Sequence, residues 1–206
     1  MAVLVKWAHT LPEATVARDT RERMIEATVN ALRHRGVAGM SFTDVLRESG
    51  AARGAIYHHF PGGKAELVAE AAECNGRAVR ERLAALPADS PTGVLDAFVE
   101  LVRPVVAESA HGSGCAVAAV TVGTGTDGDD ARLRRIAAGA FEAWTDQLAE
   151  RFTATGLAAA DAADLAGTLI TLLQGAHVLC RAAGELEPFE QAARTARALV
   201  AHRYPG

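Results

Sequence analysis

Alanine fills 45 of the 206 positions, whereas aromatic residues make up only 5% of the chain. Alanine is the strongest helix former and gains little from a pleated sheet surface, which favours β-branched and aromatic side chains. The composition therefore predicts an all-α fold. With half of its residues apolar, the chain has ample material for a buried core and lies outside the range of disordered sequences. Its length fits one large domain or two small ones.

The formal charge of -4 hides a division. Residues 1–65 carry nine Lys/Arg against six Asp/Glu, with four of the seven His, whereas residues 66–206 carry twelve against nineteen. A basic leading segment on an acidic body suggests an anionic partner for the first and a separate task for the second. The three cysteines, Cys74, Cys115 and Cys180, form no CxxC pair and no even framework, which points to a reducing compartment. No uninterrupted apolar run approaches the ~18–20 residues of a membrane span. Lys6, His9 and Pro12 interrupt the short apolar start before a secretory core develops. The expectation is a cytoplasmic protein without membrane association, led by a flexible arm over 1–17.

Between 18 and 35 the apolar Ile25, Val29 and Leu32 recur at helical spacing, with Asp19 and Glu22 in the first turn and Arg33 and Arg35 in the last. Gly36 ends this helix. Ser41, followed three residues later by Asp44, has the form of a cap for a second helix, which Gly50 stops. Pro61, Gly62 and Gly63 limit a third helix to 53–59, about two turns. From Lys64 a stripe of Leu67, Val68, Ala71, Ala72, Val79 and Leu83 runs toward Pro87, so a fourth helix leaves the small domain without a linker. The spacing further predicts a helix over 94–108 broken at Pro104, one over 132–152, and two closing helices over 162–183 and 188–203. This places a three-helix domain at 18–65 and a helical body at 66–206.

A capped helix from Ser41, a turn at Gly50 and a short helix that buries Ile56 and ends at Phe60 have the spacing of a helix-turn-helix. On the last of these helices Arg53, Tyr57 and His58 project to a common side. The stretch GAARGAIYHHFPGGKAELV resembles the signature of the TetR family of bacterial regulators, with Gly50, Tyr57, His59, Phe60 and Lys64 at matching positions. The resemblance covers 18–70, about a quarter of the chain. It implies a helix-turn-helix domain joined to a larger helical domain for ligand binding and dimerisation. It also implies a homodimer whose recognition helices enter major grooves of near-palindromic double-stranded operator DNA.

By that resemblance Thr43, Tyr57, His59 and Lys64 bond phosphates, while Arg53, Ala55 and His58 face base edges, with Gly54 in the same set. Arg53 has the chemistry to pair with guanine O6 and N7. Ala51 and Ala52 stand where the family usually has Val-Ser, which removes a side-chain cap worth about 1 kcal/mol. The run HGSGCAVAAVTV resembles the LmrA/YxaF-like branch, in which planar aromatic effectors occur.

Phe98, Val102, Val120, Phe141, Trp144, Leu148, Leu173 and His177 come from different predicted helices and, with Gln174, are the candidate lining of an effector pocket. Ala162, Ala166, Gly167, Leu169, Ile170 and Leu173 are the candidate surface through which the last two helices pair with a second copy. The function expected is ligand-responsive transcriptional regulation: a repressor released by a small apolar or aromatic effector, with no catalytic residue, cofactor or metal. One alternative is a nicotinamide-dependent oxidoreductase, since Gly123, Gly125 and Gly128 match GxGxxG after a strand-like run over 116–122. Helices follow through Arg203, however, so no second parallel strand completes the unit, and Asp127, Asp129 and Asp130 repel a pyrophosphate. His111 with Cys115, and His177 with Cys180, have the spacing of paired metal ligands, but apolar neighbours and Gly112 and Gly114 favour structural roles.

Overall fold

The computed structural model describes residues 20–122 and 128–204. Helix α1 (Thr20–Gly39) turns at Gly36, whose φ of 66° lies in the left-handed region that glycine adopts without strain. Ser41 then opens α2 (Phe42–Ser49): its Oγ accepts from the Asp44 amide at 3.2 Å and donates to the Asp44 carboxylate at 2.8 Å. That hydroxyl bond, with Arg35 and Arg47 nearby, holds the Asp44 carboxyl below its ordinary range. Gly50, at φ 67°, closes α2 as its position predicts.

Helix α3 (Ala55–His59) is shorter than the expected 53–59. Its N-cap is Gly54, which has no side chain to receive the first amides, so Arg53 and Gly54 remain in the turn before it. Ile56 and Phe60, both fully buried, pin this short helix to the rest of the unit. Helix α4 (Gly63–Ala84) begins in the same unit and continues without interruption, so the boundary at 65/66 falls inside a helix.

Ser90 caps α5 (Pro91–Ala107), its Oγ accepting from the Gly93 amide at 3.0 Å. The break expected at Pro104 does not occur. The N–H that proline lacks would have bonded the Glu100 carbonyl, and both residues lie on the exposed side, where solvent takes up the freed acceptor. A 3-10 turn (Glu108–His111) leads to α6 (Ala116–Ala119), whose cap is Cys115, its Sγ accepting from the Ala118 amide at 3.4 Å. The strand-like run over 116–122 thus forms a helical turn followed by a bend, and no strand occurs among the described residues, as the all-α expectation has it. A run as rich in alanine as AVAA follows helix propensity more closely than its apolar character. Gly123, Gly125 and Asp127 lie outside the described residues, as do Arg18 and the 1–17 arm, and Gly128 opens α7 (Gly128–Ala154).

Helices α8 (Ala159–Ala183) and α9 (Glu187–Arg203) complete the body, α8 packing on α5, α7 and α9. By length and composition α8 is apolar enough to cross a membrane, which the search for uninterrupted apolar runs misses. Its apolar side is occupied, however: Ala162, Ala166, Leu169, Ile170 and Leu173 are buried within the protomer, and Gly167 lies against Thr145 of α7. These are the residues expected at a dimer interface, and they serve the protomer's own core instead.

The contact between α4 and α7 fixes the body to the leading unit. Trp144 Nε1 donates to the Gly76 carbonyl at 2.8 Å, and a Cβ on Gly76 would stand only 3.1 Å from that of Ala140, so glycine permits the close approach. Trp144→Ala is expected to lower the unfolding free energy by ~3–5 kcal/mol, and Trp144→Phe, which removes the indole bond to a carbonyl that keeps its place in the helix, by ~0.5–1.5 kcal/mol. Urea midpoints measure both.

Candidate nucleic-acid interface and ligand chamber

The turn and helix from Arg53 to His59 present a polar surface on an apolar base. Ile56 and Phe60 face inward, whereas Arg53, Gly54, Tyr57 and His58 are exposed and Ala55 and His59 half-buried. Tyr57 is 65% exposed, yet its ring meets that of Phe42 edge-on at 6.1 Å, which orients the phenol away from the core. The His58 and His59 rings stand 5.0 Å apart, and Thr43 is exposed on the first turn of α2. The structure thus brings Thr43 and the α3 residues to one end of the molecule.

Two cations near this surface also have internal partners. Lys64 Nζ donates to the Met40 carbonyl at 2.9 Å, tying the start of α4 to the α1–α2 connection. An ammonium carries three N–H groups, so this bond leaves donors for a phosphate. Arg21 pairs with Glu70 and lies over the Phe60 ring at 5.3 Å, joining α1 to α4.

In the body, α1, α4, α5, α7 and α8 surround a narrow apolar chamber of about 80 Å³, open at one side. Six of the nine expected residues line it: Phe98, Val102, Trp144, Leu173, Gln174 and His177. Phe141 lines the adjoining groove, which shares Gln174 and His177 with the chamber. Val120 and Leu148 are fully buried and line neither, since their side chains are consumed in packing. Sequence reasoning missed the contributions of the leading helices, Val29 and Arg33 from α1 and Val79 and Arg82 from α4. Each pair recurs at three or four residues, the spacing of one helical face, but the sequence alone does not tell which face of α1 or α4 meets the body.

The polar groups of the chamber are few, and of them His177 is the most deeply buried. His177 Nδ1 lies 2.7 Å from Ser109 Oγ, and burial, with Arg33 and Arg181 nearby, pushes its pKa down to about 4, so the imidazole is neutral at pH 7. Burial likewise raises the Cys115 thiol, which stays protonated. Arg33 Nε donates to the Gly114 carbonyl at 3.3 Å, and Arg181 donates to Ser113 at 2.6 Å and to the Arg33 carbonyl at 3.5 Å. The Gln174 side chain adjoins the Cys115 thiol and hydrogen-bonds to it. Cys180 Sγ points to the Leu186 carbonyl at 3.8 Å, away from a shared site with His177.

A leading helix-turn-helix unit followed by a helical body is also what known proteins share with this chain. The C-terminal domain of LmrA/YxaF-like transcriptional regulators matches residues 91–195, and the domain of bacterial regulatory proteins of the tetR family matches residues 24–71. The chain belongs to the TetR family. This TetR-type transcriptional regulator is 35% identical over 190 residues to an uncharacterised HTH-type transcriptional regulator of Mycobacterium tuberculosis, Rv0196, covering 90% of this chain and 96% of that one. It is similar in fold to a TetR regulator of Legionella pneumophila, with a TM-score of 0.75 and 17% identity over 90% of this chain and 97% of that one. A cysteine mutant of the TetR-family regulator CifR, complexed with 26bp double-strand operator DNA, matches with a TM-score of 0.62 and 22% identity over 91% and 98%. Neither the fold nor these similarities support the oxidoreductase alternative.

The buried His177 predicts an acid-labile step in stability. Its folded pKa of about 4 lies below the ordinary 6.5, so the unfolded chain binds the extra proton and stability falls as pH drops from 6.5 toward 4. The loss amounts to roughly 2–3 kcal/mol. Urea unfolding between pH 7 and 4.5, above the carboxylate range, measures it, and the slope is expected to shrink in His177→Gln.

Proposed function

We propose that this TetR-family regulator is a repressor that binds a near-palindromic operator as a homodimer and is released by a small apolar or aromatic effector. The observation that carries this reading is that α1 and α4 belong to the helix-turn-helix unit and also form walls of the chamber. A molecule in the chamber therefore touches the elements that carry α3. To move a bound dimer from 1:99 to 99:1 in favour of release, the effector must prefer the released conformation by about 5.5 kcal/mol. Residence in the cytoplasm, beside the chromosome, follows from the same reading.

On the DNA, Thr43, Tyr57, His59 and Lys64 are assigned to phosphates, and Arg53, Ala55 and His58, with Gly54 allowing close approach, to the base edges. The exposure of Thr43, Arg53, Gly54, Tyr57 and His58 supports the assignment, and CifR, which has a similar fold, is complexed with operator DNA. Selection of bound duplexes from a random pool tests it: a palindromic consensus is expected. Arg53→Ala or His58→Ala should lower affinity by about 1–3 kcal/mol and relax base choice, while Lys64→Ala weakens all duplexes alike and lessens the salt dependence. Equal losses on operator and random DNA for all three variants contradict the division of roles.

The partner surface is assigned to the outer side of α8 and α9. Leu172, Val178 and Leu179 on α8 and Leu199 on α9 are 40–67% exposed, and Gly175 between them faces open space. Exposed apolar residues at helical spacing on two neighbouring helices fit a four-helix interface with a second copy. Leu179→Glu, which would bury a charge in that interface, is expected to give a monomer by light scattering and to lose operator binding.

A further inference from the structure

The seam between α4 and α7 carries a second concavity on its exposed side, which shares no lining residue with the chamber. It is a groove of about 280 Å³. Its floor lies where Gly76 of α4 meets Ala140 of α7, with Ile136 beside them. A Cβ on Gly139 would meet nothing within 4 Å, so the space above this floor is open. Three exposed arginines stand around it: Arg77 and Arg80 on successive turns of α4, and Arg135 on α7. None of the three makes a hydrogen bond or ion pair among the described residues. Elsewhere in the molecule Arg21, Arg47, Arg103, Arg194, Arg197 and Arg203 each pair with a carboxylate. The acidic member of the groove, Glu73, bonds to none of the three arginines.

Residues 66–206 carry nineteen acidic against twelve basic side chains, so three unpaired guanidinium groups around one groove run against the charge of the body. Like charges held side by side repel, and a multivalent anion relieves that repulsion. A guanidinium takes phosphoryl oxygens in a fork, and linked phosphoryl groups offer such oxygens to both walls of a groove at once. Duplex DNA seated on α3 does not extend this far. Arg77 and Arg80 come thirteen and sixteen residues after Lys64, which places them ~20–24 Å along α4 from it. We propose that the groove binds a small phosphorylated molecule, its phosphoryl groups bridging Arg77 and Arg80 of α4 to Arg135 of α7. Bound there, the anion ties the two helices together over the contact that Trp144 makes with Gly76. The site requires neither the effector chamber nor the operator to be as proposed above.

Calorimetric titration of the full chain with inorganic pyrophosphate, and with sulfate at matched ionic strength, tests the proposal. Pyrophosphate is expected to bind about tenfold or more tightly than sulfate. Arg135→Gln, and Arg77→Gln combined with Arg80→Gln, should each weaken pyrophosphate about tenfold or more. Because these arginines are exposed and unpaired, the substitutions should leave the urea midpoint in place, which shows that the variants fold. Gly139→Phe fills the groove and keeps every arginine, and it should weaken pyrophosphate as well. If pyrophosphate binds no more tightly than sulfate, or binds Gly139→Phe and the glutamine variants as it binds the unaltered chain, the arginines are diffuse surface charge and the proposal fails. A random duplex is the last arm. Arg77→Gln combined with Arg80→Gln should hold it within about twofold of the unaltered chain, and a larger loss would assign these arginines to DNA phosphates instead.

Discussion

Helix α4 has to satisfy two cores along one continuous rod. Near its start Glu70 pairs with Arg21 of α1, and further along the Gly76 carbonyl receives the Trp144 indole of α7. Because the hydrogen-bonded backbone runs unbroken from Gly63 to Ala84, neither contact can shift without strain at the other. Gly76 matters in particular: any side chain there would press on Ala140 and part α4 from α7. The position of α3 relative to the body is thus set by one rod and the helix that packs beside it.

The chamber lies where this constraint is tightest. Its walls include α1 and α4 as well as α5, α7 and α8, so its contents touch both the leading unit and the body. A network of main-chain acceptors runs through the same place, with Arg33 bonded to Gly114 and Arg181 bonded to Ser113 and the Arg33 carbonyl. In the proposed mechanism no separate relay is needed between effector and DNA. A ligand that favours one spacing of α1, α4 and α8 biases the position of α3 by direct contact.

Much of the leading unit was legible from local chemistry. Ser41, Gly50 and Phe60 specify a cap, a turn and a buried stop through the properties of single residues, and the structure uses all three in those roles. The body was less legible for physical reasons. Pro104 breaks a helix only where its missing bond matters, and here the helix continues through it on an exposed side. The AVAA run is apolar enough to suggest a strand and alanine-rich enough to form a helical turn. Helix α8 is apolar on nearly all sides, so periodicity gave no means of telling the inner face of Leu169, Ile170 and Leu173 from the outer face of Leu172 and Leu179. Pocket lining is a matter of tertiary placement, which is why Val120 and Leu148 proved to be packing and Arg33 and Arg82 were overlooked.

Thermodynamic linkage between the two ends of the molecule gives the most direct test, since coupling of binding sites is reciprocal. The affinity of the regulator for anilinonaphthalene sulfonate, an aromatic fluorescent probe, is measured alone and then saturated with the duplex selected from the random pool. The shared walls of α1 and α4 predict that the duplex weakens the probe by at least about fivefold and that the probe weakens the duplex by the same factor. Identical probe affinity with and without the duplex would mean that chamber and recognition helix are independent, contrary to the account.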